Sequence, residues 1–176
     1  ETGESSCEIA DEIDYRWPLE PLASLAPKAF TESKLKELFE YRNAVTQADI
    51  ERHFAANLSP KRVLITGSSG LVGSQLVPFL TAGGHEVLRL LRREKSSEQP
   101  TVVWDPREGF TDEQLEELEG IDAVINLGGE SIFGLWTENK RRRIHDSRVN
   151  TTKNLAEGLA KLKNKPEVLI SASAIG

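Results

Sequence analysis

Three glycines, Gly67, Gly70 and Gly73, recur at intervals of three residues and constrain the fold of this chain more than any other feature. An apolar, β-branched run at 62–66 precedes them, and an apolar pattern with helical spacing follows at 71–82. A strand, a tight turn and a helix start in this order place backbone amides where they can bind a pyrophosphate. A glycine-rich turn without a ligand is the alternative, but the flanking strand and helix favour a dinucleotide-binding turn. The residues expected at the cofactor are Thr66, Gly67, Ser69, Gly70, Leu71, Val72 and Gly73.

Short apolar runs alternate with helical patterns along the rest of the chain. Such alternation is typical of parallel strands that helices cover on both faces of a sheet. We therefore predict an α/β fold, a Rossmann-type doubly wound parallel sheet of which this chain holds the N-terminal five-strand portion. The predicted strands are 62–66, 86–91, 101–104, 123–127 and 167–171, and the predicted helices are 71–82, 112–119 and 138–162.

The residues before this alternation follow a different pattern. Residues 6–15 alternate loosely and predict a strand, whereas residues 29–53 carry apolar side chains at roughly helical spacing. One strand and one long helix cannot bury a core, so we expect this segment to belong to another domain. The predicted domains are 1–58 and 59–176. Because the sequence has no methionine, even at residue 1, we expect the chain to be part of a longer protein.

Charge and cysteine content exclude several functional classes. The chain has 22 basic and 28 acidic residues and a formal net charge of −6, which argues against general binding to nucleic acid or to an anionic membrane. The only cysteine, Cys7, has no partner for an internal disulfide, and we expect a cytoplasmic protein. The histidines, His53, His85 and His145, are scattered, which predicts no metal site.

Arginines at the end of the second predicted strand bear on the choice of cofactor. An NAD site usually has an acidic residue there that binds the ribose 2′-hydroxyl. This chain instead has Arg89, Arg92 and Arg93, with Glu94 just beyond. Because guanidinium groups suit a 2′-phosphate, we predict NADP and assign its phosphate to Arg92 and Arg93. NAD, with the arginines as a solvated strand end, is the alternative.

Small residues follow the fourth predicted strand, at the edge where parallel sheets bind ligands. Asn126, Leu127 and Gly128 are therefore expected to contact the cofactor. The basic run at 140–143 is open to two interpretations, a solvated helix face or a contact to a phosphate. Trp104 could border a ligand cleft or pack in the core.

Several motifs together resemble the extended or atypical short-chain dehydrogenase/reductases. The glycine turn and the Asn-Leu-Gly-Gly stretch at 126–129 carry this resemblance. More narrowly, the chain resembles the nucleoside-diphosphate-sugar epimerase family. It has Gly128 where members of that family commonly have alanine. The segments that carry the narrower resemblance are 103–106, 126–131, 147–152 and 171–176.

The resemblance implies a nicotinamide dinucleotide on a Rossmann fold and a small-molecule substrate, such as a nucleotide sugar. It also implies that Ser173, after the fifth strand, helps to hold the substrate at the reacting end. In this superfamily a Tyr-x-x-x-Lys pair delivers the proton, and the present sequence has no such pair. Two functions therefore stay open: part of an NADP-dependent epimerase or oxidoreductase, and a non-catalytic dinucleotide-sensing or scaffold module.

The N-terminal segment has a resemblance of its own. Residues 1–58, with 11–18 and 38–42, are similar to the C-terminal tail of a START/cyclase-like (SRPBCC) domain. The predicted strand and helix would then be the last strand and the closing helix of that domain. We also expect the edge of the five-stranded sheet to permit homo-oligomers, because an exposed edge can pair with another chain.

Overall fold

Helices and strands alternate through most of the chain. The computed structural model describes residues 10, 12–14, 27–93 and 99–173. The elements are α1 (Pro27–Ala56), β1 (Arg62–Thr66), α2 (Gly73–Ala82), β2 (Glu86–Leu91), β3 (Thr101–Val103), α3 (Asp112–Glu117), β4 (Ala123–Asn126), α4 (Glu138–Leu159) and β5 (Val168–Ser171).

The strands form one five-stranded parallel sheet in the order β3-β2-β1-β4-β5. β1 is central, and its Leu64 pairs with Leu88 of β2 and with Val124 of β4. The chain runs outward from β1 through β2 to β3 and then crosses to the other side of β1 for β4 and β5. This reversal creates a switch point at the carboxyl ends of β1 and β4, where open α/β sheets bind ligands. The predicted Rossmann-type sheet is confirmed.

Successive residues of β1 face opposite sides of the sheet and build two apolar layers. Leu64 is fully buried in the larger layer with Leu155 of α4 and Leu118, which directly follows α3. Ile65 is fully buried in the other layer, against which Leu76 of α2 packs. Helices therefore pack on both faces at β1, whose residues from Val63 to Thr66 are all buried.

Several element ends differ from the sequence prediction by one to three residues. α3, expected at 112–119, ends at Glu117, and β3, β4 and β5 are each one residue shorter than predicted. Leu71 was expected in α2, but the glycine turn continues through Val72 and the helix begins at Gly73. α4 was expected to reach residue 162 and ends at Leu159. There, the amide of Leu162 donates to the carbonyl three residues earlier, so the final turn tightens out of the α-helical pattern.

α1 extends across the division between the two compact units of the chain, Glu1–Ala48 and Asp49–Gly176. Its last turn packs within the second unit through His53. The imidazole Nε2 of His53 donates to the carbonyl oxygen of Phe79 at 2.9 Å, and the two rings lie 4.3 Å apart. The helix predicted at 29–53 is confirmed.

The strand predicted at 6–15 falls mostly outside the described residues. The described part of that range, Ala10 and 12–14, is in no strand, so this prediction is not confirmed. Among the described helices, none combines the length and the apolar character needed to cross a membrane.

Candidate functional site

The turn after β1 requires glycine at its first position for two reasons. Gly67 has φ +66°, a backbone conformation that L side chains rarely adopt. A Cβ atom there would also lie 2.6 Å from the backbone carbonyl carbon and oxygen of Leu127. The turn therefore packs directly against the backbone that follows β4.

The other two glycines of the motif have different surroundings. A Cβ at Gly73 would lie 2.7 Å from the Cα of Ser68 and closer still to the carbonyl oxygen of Gly67. Gly73 therefore lets the first turn of α2 pack directly on the glycine turn. A Cβ at Gly70 would approach only the carbonyl oxygen of Gly67, at 3.2 Å. Packing within the protein therefore gives little reason for a glycine at residue 70. A ligand bound over the turn would give one, because a side chain there would collide with it.

The start of α2 is open to solvent. Val72 is the N-cap, and its apolar side chain cannot cap the helix amides. Leu71 is 89% exposed and Val72 is 62% exposed. An uncapped helix start next to a glycine turn favours an anion.

A buried hydrogen-bond network lies beneath the turn. The Thr66 hydroxyl donates to Oδ1 of Asn126 at 2.6 Å and accepts from the amide of Gly128 at 2.9 Å. Nδ2 of Asn126 donates to the hydroxyls of Thr152 and Ser171, each at 3.1 Å. Asn126 is 3% exposed. The structure therefore places the side chains of Thr66 and Asn126 in bonds that join β1, β4, β5 and α4.

A cleft of about 1210 Å³ opens at the carboxyl edge of the sheet. Ser69 of the glycine turn borders it, and so do Arg92 and Arg93 at the end of β2. Trp104 lines it while being only 3% exposed, with its ring stacked on Phe110 at 4.6 Å. The other lining residues are Leu91, Val103, Asp105, Pro106, Arg107, Gln114, Glu130, Arg143, Asp146, Ser147, Asn150 and Thr151.

Ion pairs set the charge of this cleft. Nζ of Lys140 lies 2.8 Å from Oε1 of Glu130, and Nε of Arg143 lies 3.6 Å from the same oxygen. The hydrogen bond from Lys140 lowers the pKa of Glu130, with further contributions from the charges of Lys140, Arg143 and Arg92. The hydrogen bonds from Arg107 likewise lower the pKa of Asp105. Both carboxylates are therefore ionised and paired with cations.

The structure separates the predicted site residues into groups. The glycine turn, Ser69, Arg92 and Arg93 lie at the same edge of the sheet. Leu127 packs against the smaller apolar layer. Ser173 is exposed just after β5 and is not among the residues that line the cleft.

Some site residues were missed in the sequence analysis. Ser68 is buried, and its hydroxyl accepts a hydrogen bond from Nε of Arg89 at 2.9 Å. Arg89 therefore supports the glycine turn from β2. In the basic run, Lys140 and Arg143 pair with Glu130; the side chain of Lys140 is 13% exposed, whereas Arg143, at 55%, is exposed like Arg141 and Arg142. The spacing of Lys140 and Arg143 by three residues, one helical turn, was the available signal.

The described residues hold no group of three or more His, Cys, Asp or Glu side chains placed to bind a metal ion. An open parallel sheet with a glycine turn at its switch point and a cleft at its carboxyl edge defines a Rossmann protein of the dinucleotide-binding class. The NAD dependent epimerase/dehydratase family matches residues 63–175, and the chain belongs to that family. The Rossmann portion of this chain is the family's NAD(P)-binding portion, as the resemblance implied.

Curated relatives and solved structures agree with this assignment. Epimerase family protein YfhF of Bacillus subtilis (strain 168) is 41% identical over 116 residues, which are 65% of this chain and 38% of that protein. Epimerase family protein Mb2239 of Mycobacterium bovis is 37% identical over 115 residues, which are 65% of this chain and 36% of that protein. The chain spans little more than a third of the length of these relatives.

Among solved structures, the human epimerase family protein SDR39U1 (isoform2) with NADPH matches with a TM-score of 0.53 and 28% identity. This match covers 65% of this chain and 37% of the human chain. MoeE5 in complex with UDP-glucuronic acid and NAD matches with a TM-score of 0.52 and 24% identity, over 64% of this chain and 36% of MoeE5. The second likeness is one of fold.

Proposed function

We propose that this chain is the NADP-binding part of a longer epimerase or oxidoreductase that acts on a small molecule, such as a nucleotide sugar. The observation that carries the proposal is the cleft shared by Ser69 of the glycine turn and by Arg92 and Arg93. Guanidinium groups beside a pyrophosphate-binding turn suit the 2′-phosphate that distinguishes NADP from NAD. The human relative whose structure contains NADPH supports this choice.

In this proposal the elements of the site have distinct tasks. The glycine turn from Gly67 to Gly73 binds the pyrophosphate at the start of α2 through the amides of Ser69, Leu71 and Val72, whereas the amide of Gly70 donates to the carbonyl oxygen of Gly67 at 2.9 Å. Arg92 and Arg93 hold the 2′-phosphate. The bound cofactor supplies hydride chemistry, and the protein binds and orients the two partners.

The β4 and β5 ends serve the other half of the cofactor in this proposal. The backbone of Leu127 and Gly128 borders the ribose on the nicotinamide side, and Asn126 and Thr66 hold that backbone in place through their bonds. Ser173 holds the substrate at the reacting end. Its exposed position after β5 is compatible with that role.

Titration calorimetry of the 176-residue chain with NADPH and NADH tests the cofactor assignment. We expect micromolar NADPH binding that is about tenfold tighter than NADH binding, and no binding by a Gly70→Asp variant, whose carboxylate would occupy the phosphate position. Equal affinities for the two dinucleotides would refute the NADP preference. Absence of binding to either would refute the dinucleotide site as a whole.

A non-catalytic dinucleotide-sensing or scaffold module is the second candidate, because the glycine turn and the cleft account for binding a dinucleotide without requiring any turnover. Incubation of the longer protein with NADP and nucleotide sugars separates the two. A net change in NADPH absorbance reports an oxidoreductase. Conversion of the sugar to its epimer, followed by NMR, reports an epimerase, which returns the hydride and leaves the cofactor unchanged. Binding without any turnover by the longer protein would favour the sensor.

We also propose that residues 1–58 are the tail of a START/cyclase-like domain and that the protein is cytoplasmic.

A further proposal is that the sheet edge at β5 supports homo-oligomers. The exposure of Val168 and Ile170 on β5, 45% and 55%, supports this proposal. Light scattering of the chain measures its oligomeric state directly, and a monomer at all concentrations would refute it.

A further inference from the structure

Arg143 of α4 faces the same cleft as Arg92 and Arg93, but from a different element. The cleft-lining residues of α4 recur at spacings of three and four, which marks one face of the helix. Arg141 lies two residues earlier, roughly 200° around the helix from Arg143, and is exposed. The residues of α4 that line the cleft are Arg143, Asp146, Ser147, Asn150 and Thr151.

Glu130 lies beside Arg143, 3.6 Å from its Nε, and its backbone is bonded to two other residues of α4. Its amide donates to the hydroxyl of Ser147 at 2.8 Å, and its carbonyl oxygen accepts from Nη1 of Arg148 at 3.2 Å. Its carboxylate is paired most closely with Lys140, at 2.8 Å, and lies 3.6 Å from Arg143. Because one carboxylate faces two cations and lies closer to Lys140, the three groups together keep a net positive charge beside Arg143.

The same carboxylate links Arg143 to the end of β2. Arg92 acts on Glu130 through its charge, so both guanidinium groups lie within electrostatic range of one point in the cleft. The acidic residues that line the cleft besides Glu130 have partners of their own. Asp105 pairs with Arg107 at 2.9 Å, and Asp146 lies 3.3 Å from His145.

We propose that Arg143 is a third ligand of the cofactor's 2′-phosphate and helps to select NADP over NAD, an inference that rests on the proposed function. A phosphate monoester has three strong acceptor oxygens as well as about −1.5 to −2 charges at neutral pH, so it can bind a third guanidinium besides those of Arg92 and Arg93. Cations from both β2 and α4 would enclose it. Glu130 is then a positioning residue, which acts through Arg143.

The test compares Arg143→Gln with Arg141→Gln, a matched loss of charge on the opposite face of α4. Each variant of the 176-residue chain is titrated with 2′,5′-ADP and 5′-AMP, which differ by the 2′-phosphate, and with NADPH and NADH. We expect Arg143→Gln to lower the affinity for 2′,5′-ADP and for NADPH about tenfold. The affinities for 5′-AMP and NADH should change by less than about twofold. Arg141→Gln should change none of these affinities. Arg143→Lys should keep most of the preference for the ligands that carry the 2′-phosphate.

The outcomes separate this inference from the proposed function. If wild type binds neither dinucleotide, the proposed function fails and this inference fails with it. If wild type prefers NADPH but Arg143→Gln loses no more affinity than Arg141→Gln, only this inference is overturned. It is also overturned if Arg143→Gln weakens all the ligands equally, because the arginine would then contact a group that they share. Far-UV circular dichroism confirms that each variant is folded.

Discussion

Replacing Gly73 by alanine tests the packing of α2 on the glycine turn. The added Cβ would lie 2.7 Å from the Cα of Ser68 and closer to the carbonyl oxygen of Gly67. Both contacts are with backbone, so no side chain can rotate away to relieve them. The helix or the turn must move, and we expect the amides of the turn to lose their alignment.

The magnitude follows from overpacking in a closely packed region. Inserting a methyl group without space costs about 1–3 kcal/mol, which lowers the Tm of a domain of this size by roughly 3–9 °C. Affinity for NADPH should fall by at least about tenfold, since displacement of the turn disturbs several amide contacts at once.

Gly84→Ala is the matched control. Gly84 has φ +81°, and no atom lies within 4 Å of the position that an added methyl group would take, so alanine there suffers only backbone strain, about 1–2 kcal/mol. Thermal melting should show similar losses for the two variants, whereas calorimetry should show lost NADPH binding for Gly73→Ala alone. A Gly73→Ala protein that melts and binds as wild type does would refute the packing argument.

Two further predictions concern stability. Asn126→Ala removes the buried hub that bonds Thr66, Thr152 and Ser171, and we expect a loss of about 2–4 kcal/mol in urea unfolding; a loss under about 0.5 kcal/mol would contradict the importance of the network. Glu119 accepts hydrogen bonds from the amides of Lys163 and Asn164, which lower its pKa below the usual 4.5. Because the folded pKa is depressed, the advantage of wild type over Glu119→Gln is complete above about pH 4.5 and is lost as the pH falls through the lowered value. Melting temperatures of both proteins across this range measure it, and a difference independent of pH would refute the assignment.

The sheet was predictable because each strand is an apolar run bounded by turn residues. Central parallel strands are buried on both faces, and the interiors of 62–66 and 86–91 are apolar or β-branched except at Arg89. The glycine turn was predictable because Gly67 and Gly73 are required by local geometry. The alternation of strands with helices predicted that the strands are parallel, but it did not predict where the chain crosses to the other side of β1.

Side-chain partners at the site were much less predictable. The sequence predicts that Asn126 lies within a strand at 123–127. It does not predict that the side-chain amide of Asn126 donates to Thr152 and Ser171, which are distant in the chain. The basic run at 140–143 was ambiguous for the same reason. Within the run, Lys140 and Arg143 differ from Arg141 and Arg142 because they pair with Glu130, which lies outside α4.

The contact between Gly67 and Leu127 has a consequence for how the site forms. Pairing of β1 with β4 brings the two residues together. In the sequence, β1 and β4 are separated by α2, β2, β3 and α3. Closing so long a stretch of chain is slow compared with forming a local turn. A peptide holding only β1 and α2 would contain all three glycines yet lack the backbone wall that Leu127 supplies. The cofactor turn is therefore completed by tertiary assembly, and its motif cannot be transferred to another protein as a local segment.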